Sequence, residues 1–217
     1  MKFIFHIKLV LISIVFIGFN AAHAQSYEKF FDAVEFDRPE VVYALLQRGF
    51  DPNTPSPELQ PALTLALQKG ALKVAEILIA WPSVQVNRLN PNDESPLMLA
   101  ALKGQTRLAE QLIARGADVN KTGWTPLHYA ATGGHPDLIR LLLEHHAYID
   151  AESPNGTTPL MMAAYYGGPR VTKLLLEEGA DPRLKNQKNL SALDFAYSGP
   201  HREAYEYIQA FLRERRP

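Results

Sequence analysis

Five histidines lie beyond residue 24: His128, His135, His145, His146 and His201. Each could act near neutral pH as an acid, a base or a metal ligand. Glu144-His145-His146 is the run that most resembles a ligand set. Sequence neighbours do not share a helix face, however, and ligands on a helix work as i, i+3 or i, i+4 pairs. No third donor stands at such a spacing, so no metal site is expected. Lys103, Glu94 and His128 are the most that a polar catalytic cluster could draw on, and they contain no nucleophile paired with a base. Glu177-Glu178 reads as a solvated helix end. The chain has no Cys, which removes a thiolate nucleophile and Cys-based zinc. It also has no Gly-x-x-x-x-Gly-Lys phosphate loop, Gly-x-Ser-x-Gly elbow or His-Glu-x-x-His pair. The expectation is no catalytic residue, no metal, no cofactor and no enzymatic activity.

The elements that would have to position these groups are therefore the more informative feature. A composition of 47% hydrophobic and 21% charged residues is that of an ordinary globular chain. A formal net charge of −1 offers no electrostatic footprint for nucleic acid. At the N-terminus, Lys2 and Lys8 flank an apolar run from Leu9 to Phe19, and Ala22-His23-Ala24 follows. This pattern predicts a signal peptide over 1–24, cleaved before Gln25. The run is too short to cross about 30 Å of hydrocarbon. Its removal would leave a net charge of −3. The mature protein is expected to be monomeric, with no membrane contact after cleavage, and periplasmic or secreted.

A short phrase then recurs. It reads Thr125-Pro126-Leu127-His128-Tyr129-Ala130-Ala131, with copies at Ser95-Pro96-Leu97 and Thr158-Pro159-Leu160 and weaker ones at Pro61 and Ser191. The starts are spaced by 34, 30, 33 and 33 residues. Such a period means stacked helical units, each unable to bury its apolar face alone. Thr125 is placed to cap a helix that Pro126 opens. Gly133-Gly134 should end that helix in left-handed angles. Pro136 opens a second helix, whose buried face is predicted from Leu138, Ile139, Leu141, Leu142 and Leu143. Matching stripes are Val41, Val42, Leu45 and Leu46; Val74, Ile77, Leu78 and Ile79; Leu108, Leu112 and Ile113; and Val171, Leu174, Leu175 and Leu176.

The phrase, its period and the Leu-Leu…Gly-Ala that follows resemble the ankyrin repeat. The resemblance implies an all-α solenoid of helix-turn-helix pairs joined by short β-hairpin-like connections. It covers a single domain over 25–217, with repeats near 27–55, 56–89, 90–119, 120–152, 153–185 and 186–217. The two end repeats would act as caps, the last with a charged end from Arg213, Arg215 and Arg216. His128 and His135 occupy positions where the family's imidazoles bond a hydroxyl or the backbone of an adjacent repeat. His146 stands where the family has Gly, Trp81-Pro82 replaces Gly-Ala, and the link from Asn120 to Thr125 is short, which should notch the face near Lys121. Asn155-Gly156-Thr157 and Asn189-Leu190-Ser191 match a glycosylation pattern but read better as turn and capping chemistry.

The family's partner-contacting positions fall one residue before each phrase start and seven and eight after it. Carried over here, they run from Gln60 and Gln68 through Thr132, Gly133 and Thr157 to Ser198 and Gly199, and those expected to meet a partner are Glu94, Trp124 and Leu190, with Lys69, Leu102, Lys103, Tyr165 and Tyr166. The resemblance thus implies a non-enzymatic adaptor whose concave face binds, stabilises or inhibits another envelope protein. Alternatives are an inhibitor or immunity-type protein for a toxin or exported enzyme, a host-directed secreted effector, and a metal-binding hydrolase.

Overall fold

The computed structural model describes residues 24–214. The expected signal segment up to His23, and Arg215 and Arg216, lie outside them. The chain divides into two compact units, one ending at Val84 and the other beginning at Gln85. All regular elements among the described residues are helical, apart from an isolated Lys185–Ser191 bridge.

The first unit holds α1 (residues 24–35), α2 (Pro39–Gln47), α3 (Ala62–Lys69) and α4 (Leu72–Ala80). Phe30, Val34, Val42, Leu46, Leu67, Leu78 and Ile79 form its core. Phe30 stacks on Phe50 at 4.3 Å between ring centroids. Where Gly-Ala was replaced, Trp81 ends α4 in an extended conformation and meets Tyr43 edge-on at 6.0 Å.

The second unit holds α5 (Pro96–Leu102), α6 (Thr106–Ala114), α7 (Pro126–Gly133), α8 (Pro136–Glu144), α9 (Pro159–Met162), α10 (Pro169–Glu177), α11 (Ala192–Ser198) and α12 (Arg202–Glu214). Helix α9 runs into a π-helical turn, Ala163–Gly167. The short helices α5, α7, α9 and α11 pack in sequence as one row, and α6, α8, α10 and α12 as the other. Leu97, Leu127, Leu160, Leu138, Ile139, Leu142 and Leu175 are fully buried between the rows. Each such side chain contributes about 2 kcal/mol. The buried stripe is narrower than the sequence suggests, since Leu141, Leu143 and Ile113 are only partly covered. Ala109 is buried instead.

The phrase explains how the short helices start. Ser95, Thr125, Thr158 and Ser191 cap them through their hydroxyls, and Pro follows at the first helical position in three of the four. The fourth residue of each phrase returns an acceptor to the cap's own N–H. The acceptor is Met98 Sδ at 3.3 Å, His128 Nδ1 at 3.2 Å, Met161 Sδ at 3.5 Å and Asp194 Oδ2 at 2.8 Å. Three chemically unlike side chains therefore do one job.

The connections are turns, not strands. Ser56, Asn90, Ser153 and Asn186 sit buried at their bases and accept from the N–H groups of Gln60, Glu94, Thr157 and Leu190. The fourth residue of each turn is left-handed: Leu59 (φ 60°), Asp93 (φ 63°), Gly156 (φ 76°) and Asn189 (φ 59°). Asn155 spends its side-chain oxygen on Ser153 and Thr157, as turn chemistry requires. The short link before Thr125 instead sends the Lys121 ammonium to Asp93 of the preceding turn, 2.5 Å away.

Glycines at the inner row mark close backbone approach. A Cβ on Gly133 would lie 2.5 Å from the Leu102 carbonyl oxygen, and one on Gly167 2.0 Å from that of Ala131. Gly134 is left-handed (φ 71°), as the helix ending predicts, but Gly133 is not. Gly133 is required by the neighbouring repeat rather than by its own angles.

Candidate interaction site

Among the described histidines, His128 is the most constrained. It is fully buried, its Nδ1 faces the Thr125 amide and hydroxyl, and its Nε2 donates to the Thr157 carbonyl at 2.9 Å. Burial holds the imidazole neutral, lowering its pKa to about 4 against the opposing effect of the Thr157 carbonyl. Both nitrogens are occupied in holding adjacent repeats together, so His128 cannot join a solvent-facing cluster with Lys103 and Glu94. His135 Nε2 bonds the Leu102 carbonyl at 3.0 Å, and His201 Nε2 the Tyr166 carbonyl at 3.3 Å. His145 and His146 are exposed at the end of α8, and His146 is left-handed (φ 63°). Among the described residues, no three His, Asp or Glu side chains are grouped as a metal ion would need.

Three of the residues expected to meet a partner do converge. Glu94, Leu102 and Trp124 line a hollow of about 290 Å³ in the second unit, together with Tyr129, Thr132 and Met162. Glu94 enters from the turn before α5, Leu102 ends α5, Trp124 precedes α7, and Met162 ends α9, so three consecutive repeats contribute. Trp124 is half-buried and meets the His128 ring edge-on at 5.2 Å. The Tyr129 hydroxyl donates to Glu94 Oε1 at 3.1 Å, and Asn90 Nδ2 donates to Oε2 at 2.8 Å. Burial first, and then the charge of Glu94, push the Tyr129 phenol well above its ordinary pKa, so it remains a donor.

The other expected residues lie outside this lining. Lys103 is exposed beside Leu102. Tyr165 and Tyr166 sit on the π-helical turn, packed on each other at 4.5 Å, with Tyr166 56% exposed. Leu190 is exposed on the last turn. Lys69, in the first unit, pairs with Glu35. Tyr129 and Met162 were missed because the carried-over positions skip from one residue before each phrase to seven and eight after its start. They stand four residues into it, one helical turn earlier on the same face, a spacing that would have found them.

The model of the family described as ankyrin repeats (three copies) matches residues 30–122 and 97–186. The chain belongs to the ankyrin-repeat family. Curated relatives include the ankyrin repeat and KH domain-containing protein mask-1 of Caenorhabditis elegans, 32% identical over 68% of this chain and 6% of that protein. Mouse protein phosphatase 1 regulatory subunit 27 is 32% identical, over 42% of this chain and 60% of its own. A putative ankyrin repeat protein of Rickettsia felis is 35% identical, over 55% of this chain and 52% of its own. The chain thus spans less than two thirds of each of these relatives. Among solved structures, the ankyrin repeat domain of human ASB11 superposes with a TM-score of 0.75 at 24% identity, covering 84% of this chain and 82% of that one. The all-α ankyrin fold read from the repeat phrase is therefore the fold of this protein. Ankyrin repeats generally mediate protein–protein interaction and are typically non-enzymatic scaffolds.

Proposed function

We propose that this protein is an exported, non-enzymatic adaptor that grips one envelope protein through the hollow bounded by Leu102, Trp124 and Met162. The partner is stabilised or restrained by being held. The observation that carries the reading is that side chains from three consecutive repeats meet around one apolar depression with a carboxylate at its edge. A core has no use for a half-buried indole at that place, whereas Trp and Tyr recur as anchors of protein interfaces. At about 290 Å³ the hollow is smaller than most small-molecule pockets, and it suits one anchoring side chain. Export rests on the charged start, apolar run and Ala22-His23-Ala24.

The test is crosslinking of the tagged protein in its native cell, comparing wild type with Trp124→Ala combined with Leu102→Ala, two residues that line the hollow. Loss of one captured envelope species, with the helical circular dichroism signal unchanged, is the expected result. Undiminished capture by the folded double variant would remove this face from consideration. Fractionation that leaves the protein in the cytoplasm would remove the export.

A further inference from the structure

We infer that Leu59 is an anchor for a partner protein, which receives it in an apolar socket with a basic rim. The contact belongs to the first unit and does not rest on the role proposed for the hollow around Trp124. At the equivalent place the later turns carry Asp93, Gly156 and Asn189, residue types that take left-handed angles readily. Leu59 takes them too (φ 60°), although its Cβ crowds the following carbonyl. The turn holds it there. The Ser56 N–H donates to the Gln60 carbonyl and the Leu59 N–H to the Ser56 carbonyl, both at 2.9 Å, and the Ser56 hydroxyl accepts from the N–H groups of Glu58 and Gln60. Packing does not offset the strain, since Leu59 is 69% exposed. An exposed leucine alone means little. One held at a conformational cost points to a use outside the fold.

The surroundings indicate what receives it. Beside the turn lies a hollow of about 510 Å³ whose lining includes Phe31, Pro57 and Leu65. Its exposed charges are two carboxylates, Glu35 and Glu58, against one ammonium, Lys69, which pairs with Glu35. A knob beside an apolar hollow fits a folded surface of opposite relief. The excess negative charge favours basic residues around the partner's socket. An anionic lipid surface would repel it.

The test places photo-leucine, a diazirine-bearing leucine analogue, at position 59 of the full chain in its native cell. Irradiation should join it to one protein, at one apolar cleft located by mass spectrometry of the adduct. That protein, purified, should bind Leu59→Asn at least about tenfold more weakly than wild type, as loss of one buried leucine implies. Added salt should weaken the wild-type complex. The same variant should melt about 2–4 °C higher, through relief of strain. A lowered midpoint would show that Leu59 serves the fold and would overturn the inference. So would adducts scattered over many proteins, equal affinity for Leu59→Asn, a salt-independent affinity, or Leu59-dependent sedimentation with vesicles of phosphatidylethanolamine and phosphatidylglycerol.

Discussion

The fourth and fifth repeats open their short helices with the same chemistry and close them differently. Both run twelve residues from a capping Thr to the Pro of the next helix, Thr125–Pro136 and Thr158–Pro169. Both close with an N–H that reaches five residues back, His135 to Ala130 at 3.2 Å and Gly168 to Ala163 at 2.9 Å. In the fourth repeat the left-handed residue is Gly134 (φ 71°), and His135 is free to reach the Leu102 carbonyl. In the fifth the left-handed residue is one later, Gly168 (φ 88°, ψ −177°), and the last turn is π-helical. That combination of angles is open essentially to glycine alone. The Thr-Pro phrase fixes where a helix begins, and the residue types ten positions on fix how it ends. The close approach of Gly167 to Ala131 explains why the fifth ending is tolerated: it brings two backbones together, and the resulting turn presents Tyr165 and Tyr166.

The sharpest way to break that comparison is Gly167→Ala. The new methyl would lie 2.0 Å from a backbone oxygen, which cannot swing aside. A loss of at least about 3 kcal/mol is expected in urea unfolding, at the upper end of overpacking costs. Gly49→Ala is the control, since a Cβ there meets nothing within 4 Å and only its φ of 88° resists. A cost of about 1 kcal/mol is expected for it. Equal losses for the two would show that the tight backbone contact does not govern the fifth repeat.

Next in size is the pH dependence that distinguishes His128 from Met161, which holds the same place in the fifth repeat. His128 has a pKa of about 4 in the folded protein, against an ordinary value of 6.5. Between those values the unfolded chain takes up the proton and the folded one does not. Stability therefore falls as pH drops from about 6.5 to 4, by about 3 kcal/mol in total. His128→Met copies the fifth repeat. It should cost about 1 kcal/mol at pH 7.5 through loss of the Thr157 bond, and should flatten the dependence below pH 6.5. Urea midpoints at pH 7.5 and 4.5 decide it. An unchanged pH slope in His128→Met would mean that the proton goes elsewhere.

How much could be read beforehand follows from how each feature is encoded. The helix starts were legible because capping needs a hydroxyl and a Pro in a fixed place, and Thr125, Thr158 and Ser95 declare it. The role of His128 as a structural bond was legible through the family resemblance. The buried turn residues Ser56, Asn90, Ser153 and Asn186 were not, because Ser and Asn perform one task there and neither recurs as a motif. The hollow was half legible. Glu94, Leu102 and Trp124 followed from the family's contact positions. Tyr129 and Met162 did not, because they stand four residues after Thr125 and Thr158, outside those contact positions but one helical turn away on the same face, where helical spacing could have found them. The π-helical turn was invisible, since nothing in Ala163-Ala164-Tyr165-Tyr166-Gly167 states where the next repeat will press.

The smallest effect tests the ending of the second helices. The first, third and fifth repeats finish these with a left-handed glycine: Gly49 (φ 88°), Gly116 (φ 80°) and Gly179 (φ 103°). The fourth puts His146 there (φ 63°), where a Cβ crowds the following carbonyl. His tolerates this better than most residues, but it still gives up free energy that glycine would not. Asn120 Nδ2 bonds the His146 carbonyl at 2.9 Å, and substitution of the side chain leaves that bond in place. His146→Gly should therefore raise stability by about 0.5–1 kcal/mol, the relief of strain exceeding the added freedom of the unfolded chain. A lowered thermal midpoint would mean that the imidazole contributes packing or a bond that outweighs its backbone cost, and that the fourth repeat departs from its neighbours for a reason of its own.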